Sequence, residues 1–346
     1  MTKRNVFQKT IEFNKPEYIP HLFDINFNSL REKNPEKESY ILDLLNRLGW
    51  NNFNYFWCWL DKNETVDGTV YKTDEWGTKW QDNGLGMITV YHPMQDGYEY
   101  INRVNFPDPD DQRRFEFADS VLPDRPDKYI VGALWFTLFE RLWMLRGMEN
   151  LLIDPYLNPD EFFDLKERVM QVNMGIIDQW LQRDIDAVYF SDDWGSQQSL
   201  LIDPDDWRRF YKDDYERMFK RVRRAGKHVW MHLCGNVTSI IPDLIDIGLN
   251  VLNPVQPQAM DVNELGRRFG GKVCFNGGMD VQGTMIHGSP DDIRKEFHNL
   301  VKVFGSYNGG YIANTSHAIM PETPLDNIIV LLETVQDYND RHMKEG

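Results

Sequence analysis

Lys227-His-Val-Trp-Met-His-Leu-Cys-Gly-Asn236 is the stretch on which the fold turns. A β-branched and aromatic run closes on Gly-Asn, the pattern of a buried strand meeting a turn. His232 and Cys234 are two residues apart, and on a strand that spacing points both side chains to one face. An imidazole and a thiol at the mouth of a strand share one Zn²⁺ when a third ligand comes from elsewhere. The pair also reads as a core cysteine beside a hydrogen-bonded core histidine, and spacing alone does not separate the two.

Similar apolar runs recur on both sides of this one. They cover 18–24, 53–59, 129–135, 187–192, 251–254, 273–276 and 309–314. An amphipathic helix over 4–13 precedes them. Helical spacing fills the gaps at 36–48, 136–150, 159–183, 238–247, 261–269, 291–304 and 325–339, and Asp203-Pro204 opens another helix with a cap and a first-turn proline. Eight short strands alternating with helices predict a closed parallel (β/α)₈ TIM barrel, an α/β fold forming one domain over residues 1–346. Residues 60–128 break the rhythm and are rich in Asp, Gly, Pro and Trp. They predict an insertion between the second and third strands, carrying small antiparallel pieces without a core of their own. An open doubly wound sheet is the competing fold. It usually carries a glycine-rich phosphate fingerprint after its first strand, and none is found here.

The chain has 346 residues, 41% of them hydrophobic, enough for a large core. Its net charge of -16 argues against nucleic acid or an anionic membrane surface as partner. Cys58, Cys234 and Cys274 are too few and too odd in number for a disulfide framework. The polar start and the lack of a long apolar run predict neither signal peptide nor membrane span, so the expected location is cytoplasmic.

Active sites of such barrels lie at the C-terminal strand ends. Here those ends carry Asp24 and Asn26, Trp57, Trp135, Asp192 and Asp193, His232 and Cys234, Asn253 and Gln256, Asn276 and Asp280, and Asn314 and His317. Polar loops and helix caps account for part of this. Of the adjacent carboxylates only one faces the mouth if the strand persists, with Asp192 expected as general acid/base or substrate acceptor. Asn276, expected as a catalytic residue beside Asp192, and Gln197 would hydrogen-bond the substrate. Asp193, Gln256, Asp280, Asp24 and Asn26 are further candidate substrate contacts. Trp57 and Trp135 would pack on a methyl-bearing aromatic or cationic group. Cys274 faces inward one layer deeper and reads as core first, with metal ligation in reserve.

Asp192-Asp-Trp-Gly-Ser-Gln197, His232-Leu-Cys-Gly-Asn236, Asn276-Gly-Gly-Met-Asp280 and Ser316-His-Ala-Ile-Met-Pro-Glu-Thr-Pro324, in that order, resemble the uroporphyrinogen decarboxylase superfamily. The resemblance is strongest from about Tyr129 to Asn327 and implies a (β/α)₈ barrel. True decarboxylases of that superfamily carry an arginine-rich segment near the first strand. Phe23-Asp-Ile-Asn-Phe-Asn-Ser-Leu-Arg31 has one Arg, and an Asp where a polyanion wants cations. The corrinoid-linked methyltransferase branch holds Zn²⁺ with a His-x-Cys pair and a later Cys. His232 and Cys234 match the pair, and anchoring on Pro321-Glu-Thr-Pro324 puts His317 at the third position. A second histidine would make the metal a stronger Lewis acid than a second thiolate.

The resemblance therefore implies a zinc-dependent methyltransferase. It would move methyl between a small O-methyl aromatic, methylamine or thiol and a corrinoid (cobalamin) on a partner protein. The metal would polarise the donor heteroatom or lower the pKa of an acceptor thiol. Homodimerisation is left open. The alternatives are a metal-free decarboxylase of uroporphyrinogen or a smaller acid, and a non-catalytic binding protein for a small methylated aromatic.

Overall fold

A computed structural model describes residues 2–23, 25, 34–49, 53–66, 68–83 and 87–345. Its strands are β1 (Phe53–Trp57), β2 (Lys62–Val66), β3 (Thr69–Thr73), β4 (Lys79–Asp82), β5 (Met87–Tyr91), β6 (Tyr129–Leu134), β7 (Ala187–Ser191), β8 (His228–His232), β9 (Val251–Asn253), β10 (Cys274–Met279) and β11 (Tyr311–Thr315). Seven of them form one sheet in the order β1-β6-β7-β8-β9-β10-β11. Every neighbouring pair is parallel. Helices such as Phe139–Arg146, Pro159–Leu181 and Lys212–Arg224 connect successive strands.

The sheet curls around an inner core. Phe53, Tyr129, Val131, Ala133, Ala187, Tyr189, Trp230, Val251, Cys274 and Ile312 pack together from seven strands. Phe7 and Ile11 of the helix Lys3–Ile11 join the same cluster. Alternate residues on the same strands, such as Ile130, Val188, Val229 and Leu252, join the larger core shared with the helices. This two-layer alternation is what a TIM-barrel-like α/β fold demands of strands buried on both faces.

The strand expected over 18–24 is reduced to a bridge between His21 and Ala313. Leu22 N donates to Ala313 O (2.9 Å) and Ala313 N to Pro20 O (2.8 Å), so the segment lies beside β11 as the eighth position of a barrel. Pro20 has no N–H, which limits the ladder there. Among the described residues no ladder joins this segment to β1, so the pairing stays a curled seven-stranded sheet plus a bridge. The helix expected over 136–150 is broken at Gly147 (φ 81°) into Phe139–Arg146 and Met148–Leu157.

Between β1 and β6, strands β2 to β5 form a four-stranded antiparallel sheet. Trp76, Met94, Val104 and Phe115 from this region pack into the main core. One buried ion pair and a hydrogen bond tie it to the barrel, and a second buried ion pair braces it internally. Arg141 Nη1 lies 2.5 Å from Asp74, and Arg114 Nη1 donates to Glu75 (2.6 Å) and to Cys58 O (3.2 Å). Among the described residues no helix is long and apolar enough to cross a membrane.

Candidate active site

Strand parity builds the site. Ser191 lies in register with His232, and His232 with Asn253, so three adjacent strands present neighbouring side chains at one rim. Trp230 fills the barrel interior two residues below His232. Beyond β8 the chain is laced to the loop after β7. Gly195 N donates to Cys234 O (3.1 Å), and Asn236 N to Ser196 O (2.7 Å). A Cβ on Gly235 (φ 78°) would lie 2.3 Å from Gly195 O, so this close approach requires glycine.

The lacing brings Asp193 to the His232–Cys234 pair. Cys234 N donates to Asp193 Oδ1 (2.8 Å), and His232 Nε2 lies 3.8 Å from the same oxygen. His232 Nε2 and Cys234 Sγ are 3.2 Å apart. Asp193, His232 and Cys234 each offer one ligand atom, all within 4.8 Å of one another. His232 Nδ1 donates to Asn253 Oδ1 (2.7 Å), which leaves the Nε2 lone pair turned toward the cluster. Asn253 is fixed in turn. Its Oδ1 also accepts from Tyr189 Oη (3.1 Å), and its Nδ2 donates to Asn276 Oδ1 (2.6 Å).

Burial lowers the His232 pKa, against the pull of Asp193, so the ring is held neutral. Burial and then the Asp193 charge push the Cys234 thiol up. Glu140 is buried close by, and its pKa is raised well above the carboxylate range by burial, Asp193 and Asp192. Its Oε2 has no hydrogen-bond partner among the described residues.

A cavity of about 430 Å³ is lined by His232, Asn253, Tyr55, Trp57, Trp135 and Tyr189, and also by His21 and His317. Trp57 and Trp135 meet edge to face at 4.9 Å, and Trp135 lies 5.8 Å from the His232 ring. Gln197, Gln256 and Asp280 instead line a neighbouring cavity of about 520 Å³, which shares His317 with the first. Gln256 is partly committed to Gly235 N (2.6 Å), and Asp280 to Gln258 Nε2 (2.7 Å).

Three expectations need correction. Asp192 does not face the mouth. It is fully buried and accepts from Leu138 N, Phe139 N, Glu140 N and Tyr215 Oη at 2.5–2.9 Å, capping the helix Phe139–Arg146. The residue that orients His232 is Asn253. Asn276 is buried beneath Asn253 and bonds Ile312 O (3.2 Å), which makes it a support for the site and not a reacting group. His317 is exposed on the rim and stands outside the Asp193–His232–Cys234 cluster. Asp24 and Asn26 lie outside the described residues. Cys274 is wholly buried in the inner core.

A family model described as uroporphyrinogen decarboxylase (URO-D) matches residues 135–338. The uroporphyrinogen decarboxylase of Chlorobium phaeobacteroides is 26% identical over 219 residues, 60% of this chain and 58% of its own. That of Chlorobaculum tepidum is 23% identical over 217 residues, 61% and 59% of the two chains. The chain thus spans about three-fifths of the length of these relatives. A solved structure, a methyltransferase from Methanosarcina mazei, aligns over 98% of this chain and 99% of that one, with a TM-score of 0.67 at 14% identity, a likeness of fold.

Proposed function

The chain belongs to the uroporphyrinogen decarboxylase (URO-D) family, and from that premise we propose that it is a zinc-dependent methyltransferase working with a corrinoid protein. One observation carries the reading: a nitrogen, a sulfur and an oxygen donor converge at the strand rim, with the imidazole pinned through its other nitrogen. That set suits zinc. Ligands at about 2.1 Å and 2.3 Å on a tetrahedral ion stand roughly 3.5 Å apart, close to the 3.2 Å between His232 and Cys234. Asp193, His232 and Cys234 would hold the ion.

A bound zinc would supply Lewis acidity toward a substrate heteroatom, and the partner's corrinoid the methyl-carrying centre. The chain's own residues bind and orient. Asn253 fixes the His232 tautomer. Trp57, Trp135 and Tyr189 offer π-faces to a methyl-bearing group. His317, which lines the same cavity, would contact the substrate. The substrate classes that fit are an O-methyl aromatic, a methylamine or a thiol. Gln197, Gln256 and Asp280 would serve a part of the substrate that extends into the neighbouring cavity.

Uroporphyrinogen decarboxylation is the second reading, favoured by the relatives' activity. The described residues of the cavity include no Arg or Lys to receive an octacarboxylate. Elemental analysis of the purified chain tests the proposal. About one zinc per chain, lost in His232→Ala and Cys234→Ser, is the expected result. A wild type that carries no zinc and takes none up sinks the methyltransferase reading. Coproporphyrinogen formed from uroporphyrinogen would establish the decarboxylase instead.

A further inference from the structure

Four of the rings that line the His232 cavity touch one another, and their angles limit what can sit among them. Tyr55 and Trp57 are nearly parallel, 5.8 Å apart at 10°. Trp135 meets Trp57 edge to face (4.9 Å, 82°). Tyr189 meets Tyr55 (5.1 Å, 80°) and Trp57 (6.1 Å, 88°) in the same way. Sandwiching a flat ring takes two parallel faces roughly 7 Å apart, twice the contact distance. The one parallel pair here is closer than that. A compact group with methyls on all sides can instead touch perpendicular faces at once.

We propose that these rings bind a quaternary methylammonium ion. Aromatic faces attract cations, and a quaternary ammonium, weakly hydrated and apolar at its rim, is well suited to them. The charge around the cavity has the matching sign. Among the described residues no Lys or Arg lines it, or lines the neighbouring cavity that shares His317. Buried carboxylates elsewhere are matched by cations: Asp74 by Arg141, Asp154 by Arg146 and Asp214 by Lys166. Asp280, equally buried, lines the neighbouring cavity and is held only by the Gln258 side chain and the Gln282 amide among the described residues. A buried carboxylate without a counter-charge favours a cation nearby and disfavours an anion. That the bound ammonium is the methyl donor rests on the function proposed above; the binding itself does not.

The test is calorimetric titration of the full chain with choline and with 3,3-dimethylbutan-1-ol, which has the same shape with carbon in place of the charged nitrogen. Flat, anionic 4-methoxybenzoate is the third probe. Choline should saturate by about 1 mM and bind about tenfold more tightly than the alcohol. Trp57→Leu, at a ring 41% exposed and so tolerant of change, should weaken choline about fivefold and the alcohol by less. Trp135→Phe, which keeps a ring with a weaker face, should weaken choline by a smaller factor. Choline should bind to untreated and to chelator-treated protein alike, so the zinc site and the ammonium site fail separately. No saturation, equal binding of choline and the alcohol, tighter binding of 4-methoxybenzoate, or wild-type choline binding in folded Trp57→Leu would each overturn the proposal. So would choline binding that disappears with the metal, because its hydroxyl and not its ammonium would then be what is held.

Discussion

Asn253→Ala is the perturbation that bears hardest on the candidate site, because it leaves every proposed ligand in place and removes only the group that orients one of them. Its Oδ1 holds His232 Nδ1 at 2.7 Å and Tyr189 Oη at 3.1 Å, and its Nδ2 reaches Asn276 Oδ1 at 2.6 Å. Truncation frees the imidazole to rotate and to carry its proton on Nε2, the wrong nitrogen for a metal. Loss of such an orienting partner costs about 10–100-fold in metal affinity, or roughly 1.4–2.7 kcal/mol. Stability falls as well, since the Tyr189 hydroxyl is left buried without that partner, at about 1–3 kcal/mol. Asn276 loses less, because its Oδ1 keeps Asn314 Nδ2 at 3.3 Å. The assay is competition for zinc against a chromophoric chelator, at a temperature where circular dichroism shows the variant folded. His232→Ala marks complete loss, and Asn276→Ala, one step further out, should lose less than about tenfold. If folded Asn253→Ala binds zinc like the wild type, the reasoning that ties Asn253 to the His232 tautomer is refuted.

Asp192→Asn should cost about 2–4 kcal/mol in denaturant unfolding, since it weakens charge-assisted bonds to three backbone amides and a buried tyrosine. The zinc content of its folded fraction should stay that of the wild type; a stable but zinc-free variant would return Asp192 to the site. Cys274→Ser, deep in the inner core, should lower stability and leave zinc unchanged; a loss of zinc from folded protein would show that Cys274 is a ligand. Acid stability should carry a mark of His21, whose pKa burial takes from 6.5 down to about 4. The fold prefers the neutral ring, so its contribution is complete above pH 6.5 and drains away as pH falls toward 4, by about 3 kcal/mol in all. Asp192, raised by burial from 3.8 to about 6, works in the opposite sense between those values. The quantity to measure is therefore the difference between wild type and His21→Gln, and equal slopes for the two from pH 6.5 to 4 would contradict the assignment.

The barrel-like order of strands was legible because each is a short apolar run bounded by helical spacing, and burial on both faces leaves that mark in sequence. His232 and Cys234 were legible for the same reason, since a two-residue step on a strand keeps one face. Asp193 was legible too, but only through parity. Ala187, Tyr189 and Ser191 are the inward set of β7, and Asp193 continues it, whereas Asp192 shares parity with the outward Val188 and Phe190. Assigning the mouth to Asp192 chose the wrong member of an alternating pair. Asn253 stood at a strand end in the sequence, yet its role comes from the β8–β9 register, which no local pattern encodes. Glu140 reads locally as a first-turn acid of a helix, favourable to the dipole wherever that helix sits. Only the crossover from β6 to β7 brings it beside Asp193. His317 was assigned from the order of Pro, Thr and Pro in its loop. Such a motif fixes the loop's place in the chain but not the direction of a side chain seven residues from its last proline. The residues that strand geometry governs could thus be read in advance, and those that a register or a loop path governs could not.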